Sequence, residues 1–187
     1  MSPSDTTDAT PGTEPAPSRL PRIRPEVRFP ILFLALSFLL LYLADGPLAD
    51  TIRPWLCDLV ALHSHGLLNL LGESTRLHDN VVAAPSRGHS FEVIYACTAL
   101  PATILLVSAI LAFPASWTRR LVGLLAGVAT LYVVNLLRLV VLFYCFLYWR
   151  SFYDRMHHTV WQGLLVILAV GFFCAWALIG RKRVSDA

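Results

Sequence analysis

Three kinds of side chain in the second half of this sequence can do chemistry together: a thiol at Cys97, a guanidinium at Arg138, and imidazoles at His157 and His158. A thiolate attacks carbonyl carbon, an imidazole moves protons, and a fixed cation holds a developing oxyanion. That set is complete for acyl transfer from a peptide bond. Pro101 cannot donate to the Cys97 carbonyl, so the spacing predicts a helix starting near Thr98, with the Thr98 hydroxyl as its cap. A thiol at a helix N-terminus is favoured as thiolate by the dipole and the free amides. Arg138 lies inside the apolar run 131–143, where a charge costs about 2.5–3.5 kcal/mol to insert. Asn135, three residues earlier, shares its helical face. Asp154 sits three and four residues before the two histidines and orients an imidazole if that turn is helical.

Each residue also has a plainer reading. Most lone cysteines are small buried apolar groups. An arginine roughly 26 Å along a helix that starts at Leu121 snorkels to the interface. Paired histidines ahead of a membrane span are common. The weight lies in the combination, three segments each bringing one reactive group to the same depth.

The elements that must hold them follow from composition. The chain has 187 residues, 56% hydrophobic and only 14% charged, where a soluble domain carries about 25% charged residues. The charges cluster near the ends of long apolar runs, so the net charge of +3 speaks of membrane orientation and excludes a nucleic-acid partner. The expected fold is all-α, a polytopic integral membrane bundle of about four transmembrane helices at 27–44, 94–113, 121–149 and 159–179. Each reaches the roughly 17–25 residues that a bilayer core demands. Residues 51–72 read as an amphipathic helix on the surface or against the bundle, with a fifth span as the alternative. Residues 73–93 read as a small outward-facing folded loop with β-like stretches. Residues 1–26 are expected to be a disordered cytoplasmic tail, 27–180 the membrane-embedded domain, and 181–187 a basic cytoplasmic tail. The first apolar run lacks a cleavage site and is expected to stay as an anchor.

Arginine and lysine set the orientation. Arg19, Arg22, Arg24 and Arg28 precede the first span, Arg119 and Arg120 join the second and third, and Arg181, Lys182 and Arg183 follow the fourth. Four spans bring these clusters to the cytoplasmic side and Cys97, Arg138 and His157 to the opposite one. Gly123 and Gly127 allow close helix contact. Glu92 reads as a loop charge, with a role beside Cys97 as the alternative. His63, His65, His78 and His89 lack metal-ligand spacing, so no metal and no cofactor is expected.

The pieces Ala96-Cys97-Thr98 with Pro101, Asn135-Leu136-Leu137-Arg138, and His157-His158-Thr159-Val160-Trp161-Gln162 resemble the exosortase/archaeosortase family of membrane-embedded cysteine enzymes, most closely the H-type exosortases. Resemblance covers about residues 90–180. It implies a Cys97 nucleophile, an Arg138 stabiliser and a His157 acid/base, with His158, Asn135, Asp154 and Thr98 as alternates or supporting groups. It implies a peptidase or transpeptidase in a bacterial inner membrane, acting at the periplasmic face on exported proteins with a C-terminal tripartite sorting tail. The partners so implied are those proteins, membrane lipid, and a lipid-linked or glycan acceptor. Ala99 departs from the pattern, standing where many members carry Gly. Two other classes compete: a thiol–disulfide oxidoreductase using Cys57 and Cys97, which lacks the usual CxxC, and a non-catalytic assembly subunit with Arg138 as a structural cation.

Overall fold

A computed structural model describes residues 25–149 and 160–185. Helix α1 runs Pro25–Asp45 and α2 Ala49–Leu70. A small antiparallel sheet follows, with β1 Arg76–His78, β2 Val81–Ala84 and β3 His89–Glu92 in the order β1-β2-β3. A single 3-10 turn, Tyr95–Cys97, leads into α3 Leu100–Ala112. Then come α4 Trp117–Tyr148 and α5 Trp161–Ser185.

The all-α membrane bundle expected from composition is what forms, and the sheet is a minor addition. Three helices are long and apolar enough to cross a bilayer: Val27–Asp45, Trp117–Tyr148 and Trp161–Ile179. Their outward residues, such as Leu34, Phe38, Ile167 and Val170, stay exposed, as lipid-facing side chains must. The second expected span differs. Of 94–113 only the 13 residues of α3 are helical, about 20 Å at 1.5 Å per residue, short of a core about 30 Å thick. Ala99 at φ 55° turns the chain out of the right-handed helical region, and Pro101 withholds the amide that would extend the helix backwards.

The ambiguous stretch 51–72 is α2, packed against α4. It buries Cys57, Val60, Ala61, Ser64 and Leu68, a helical spacing of three and four, and leaves Trp55 and Leu62 exposed. It is not among the helices apolar enough to span.

Short α3 is the hub, in contact with α1, α4 and α5. At its far end Phe113 meets Phe29 of α1 and Trp176 of α5 edge-on. Arg120 donates to the Phe113 carbonyl at 2.9 Å, and Arg119 to the Trp176 carbonyl at 2.6 Å. These contacts bring the start of α1, the end of α3, the start of α4 and the last turns of α5 to one side. The opposite side carries α2, the sheet and the Cys97 turn. There a core of Val60, Leu68, Val82, Val93, Leu139 and Phe143 binds them to α4.

Candidate active site

The segment around Cys97 is a 3-10 turn followed by a left-handed residue, and Pro101 withholds the amide that would extend α3 back through it. The Cys97 amide donates to the Ile94 carbonyl at 2.8 Å, and the Thr98 amide to the Tyr95 carbonyl at 3.1 Å. Thr98 was expected to cap α3. Instead its hydroxyl turns back onto the Tyr95 carbonyl at 2.8 Å, and Ala99 is the residue preceding the helix. A cap at Thr98 would seek the amide of residue 101, which proline does not have. Ala99 occupies the left-handed region where glycine is unstrained, so the residue at which this chain departs from the family pattern is the one whose backbone favours glycine.

Proline 101 has a second consequence. A helical carbonyl at 97 would accept from the amide of 101, and that donor is missing. Asn135 supplies it from α4: its Nδ2 donates to the Cys97 carbonyl at 2.7 Å. The Oδ1 of the same amide accepts from Arg138 Nη1 at a long 3.4 Å. Asn135 and Arg138 are both 0% exposed and Cys97 is 4% exposed. The interfacial snorkelling reading of Arg138 therefore does not describe it, since the guanidinium is turned into the protein beside the Cys97 turn.

The helix-dipole expectation for the thiol is overturned. Cys97 lies three residues ahead of α3 and outside the three spanning helices. Burial pushes its thiol up, against the opposing pull of a backbone hydrogen bond at Ile94 and the Arg138 charge. A thiol held in its protonated form needs a base to become a nucleophile.

A cavity of about 270 Å³ opens over Cys97, between β3 on one side and Leu139, Leu142 and Phe143 of α4 on the other. Phe91 and His89 of β3 pack on Phe143 and Phe146, at ring separations of 6.0 and 5.2 Å. The other side of the turn is pinned. Arg53 of α2 bonds the Asp45 carboxylate at the end of α1 at 2.8 Å and lies 4.6 Å over the Tyr95 ring. Burial and then Asp45 push the Tyr95 hydroxyl up to about 12, so it stays protonated. This clamp joins three elements across the turn, and the sequence reading missed it. Its only trace there is Arg53, one of three charged residues in α2 with Asp50 and Asp58.

Cys57 is buried in α2; burial comes first in pushing its thiol up, and the charge of Cys97 adds to it. Both cysteines are free thiols. Glu92 is exposed and accepts from Asn80 at 3.1 Å. His63 and His65 have structural partners: His63 bonds the Leu59 carbonyl and the Tyr132 hydroxyl, and His65 the Thr75 hydroxyl. No cluster of potential metal ligands occurs among the described residues. Gly123 and Gly127 do allow close contact: a Cβ at Gly123 would fall 2.5 Å from the Trp176 indole nitrogen.

His157, His158 and Asp154 lie outside the described residues. The helices flanking them present their ends to the Cys97 side: α4 finishes there, and Leu165 near the start of α5 packs with Ala99 and Ala102.

No curated protein and no solved structure matches the chain. One family model does, that of the transmembrane exosortases (Exosortase_EpsH), over residues 26–181. That match runs from the first turn of α1 into the last turns of α5 and takes in the Cys97 turn, Asn135 and Arg138, and on this evidence the chain belongs to the transmembrane exosortase family.

Proposed function

We propose that this chain is an H-type exosortase, a cysteine peptidase or transpeptidase that cuts the C-terminal tripartite sorting tails of exported proteins. Cys97 Sγ attacks the scissile carbonyl carbon after its proton passes to His157, with His158 as the alternate base and Asp154 orienting the ring. Arg138 stabilises the oxyanion. Collapse breaks the C–N bond, the imidazolium returns its proton to the leaving amine, and a thioester remains on Cys97. Water, or an amine on a lipid-linked or glycan acceptor, then releases it. Thr98 and Asn135 support the turn that carries the nucleophile.

The observation that carries this reading is the buried connection from Arg138 through Asn135 to the Cys97 carbonyl. A cation costly to insert in lipid is held beside a thiol on the wall of a cavity. The raised thiol fits the same scheme, because it makes the missing proton acceptor necessary. The site faces the periplasm of a bacterial inner membrane, consistent with Arg28, Arg119 and Arg120 lying at the opposite side.

The test is processing of a co-expressed exported reporter ending in a polar motif, an apolar helix and a basic cluster. Cys97→Ala and Cys97→Ser should both lose processing at normal membrane abundance. Undiminished processing by Cys97→Ala would sink the mechanism and favour a structural role for Arg138. The proximity of Cys57 supports the oxidoreductase reading as second choice; it requires that Cys57→Ala be as damaging as Cys97→Ala.

A further inference from the structure

Strand β3 has one occupied edge and one open edge. Its partner on the occupied side is β2, with Val82 opposite Phe91 and Ala84 opposite His89. Among the described residues no strand lies on the other side. Which backbone groups face outward follows from the ladder. The Val93 amide donates to the Asn80 carbonyl at 2.9 Å, so 93 and 80 are a hydrogen-bonded pair. Bonded pairs alternate in an antiparallel ladder. Phe91 and His89 therefore bond to β2, while the amides and carbonyls of Ser90 and Glu92 point to the open edge.

The cavity over Cys97 runs along that edge. Its lining includes His89, Ser90, Phe91 and Glu92 in succession. Consecutive strand residues point to opposite faces of a sheet, so a cavity lying on one face would meet every second residue. Touching four in a row fits a cavity that follows the strand's margin. The same cavity continues past Ile94 to Cys97, with apolar α4 residues as its far wall.

We propose that this edge is the substrate-docking surface: an extended segment of the sorting tail adds to the sheet as a fourth strand against β3, which delivers its scissile bond to Cys97. The proposal rests on the peptidase reading for the identity of the occupant. An extended peptide is the partner whose amides and carbonyls match a row of outward strand groups, at every second residue, that meets no strand among the described residues. Four strand residues span about 13 Å, enough to hold a short motif in register. Alternate side chains of the added strand face the Leu139–Phe143 wall, and the intervening ones face away.

The test is disulfide trapping in membranes. The enzyme carries Ser90→Cys in a Cys97→Ala, Cys174→Ser background. The co-expressed reporter tail carries single cysteines at successive positions ahead of its apolar helix. Cross-linked product is expected to rise and fall with a period of two, about fivefold stronger at alternate positions, as strand geometry dictates. A flat profile, a helical period, or no cross-link at Ser90 overturns the docking. Processing of the same tails by the chain with Cys97 intact tests the peptidase reading separately. Tails processed without alternation leave that reading standing and remove this one. Tails that cross-link in alternation but are never cut do the reverse.

Discussion

Helix α4 buries glycines against rings near one end and polar side chains near the other. Near its start, Gly123 and Gly127 let the Trp176 and Phe172 rings of α5 approach the backbone, and the fit is steric. Some ten residues further on, the same helix buries Asn135 and Arg138 against the Cys97 turn, and the fit is polar. Its arginines divide the same way. Arg119 and Arg120 cap carbonyls and stack on Trp176 and Trp117 at the rim, where such contacts add roughly 0.5–1 kcal/mol. Arg138 is fully enclosed. A membrane helix gains packing cheaply from small residues, because lipid tails are as apolar as leucine and only close approach distinguishes protein from lipid. A buried cation has no such economy, and it is costly to hold inside a membrane helix.

The contrast can be broken in four places. The largest effect is expected at the polar end: if Arg138 stabilises the oxyanion as proposed, Arg138→Lys should cut turnover about 10²–10³-fold, because a point charge does not replace a planar fork. Single-turnover processing at matched abundance reads this directly, and wild-type turnover in Arg138→Lys would show that the planar fork is not needed for catalysis. Next, Asn135→Leu should destabilise the protein by about 1–3 kcal/mol, since it removes the amide that donates to the Cys97 carbonyl, and should also slow turnover. Thermal melts in detergent separate the two; a loss of stability alone would make Asn135 purely structural.

At the steric end, Gly123→Ala should cost about 1–2 kcal/mol by overpacking against the rigid indole. Turnover per folded molecule should stay unchanged. A fall matching that of Arg138→Lys would mean that the two ends are not separable. The smallest effect sharpens the turn itself. Ala99→Gly should raise the melting temperature slightly, the relief of about 1–2 kcal/mol of left-handed strain being partly offset by the greater freedom of glycine when unfolded. Ala99→Val should lower it.

Much of the architecture was legible because lipid leaves few choices. An apolar run long enough to cross a bilayer must satisfy its backbone internally, and a helix does so without outside help. Val27–Asp45, Trp117–Tyr148 and Trp161–Ile179 follow from that rule alone. The second run misled, because its composition promised a span from Ile94 while Pro101 denied an amide to the start of it. The proline predicts a helix start near Thr98; the helix begins two residues later at Leu100, and the left-handed Ala99 is not foreseen by the pattern. The thiol was misjudged for the same reason: with the helix start moved, burial governs it in place of the dipole.

The sequence determined on its own that an amide and a guanidinium share one face of a membrane helix, and that the carbonyl of Cys97 would lack its helical donor. Both are local consequences of residue type and spacing. That Asn135, 38 positions away, is the donor, that Arg138 turns inward, and that β3 offers an open edge along the Cys97 cavity were decided by tertiary packing. Those contacts depend on how α4 docks against the Cys97 turn and the sheet, and apolar patterning fixes which face of a helix is buried without fixing what it meets.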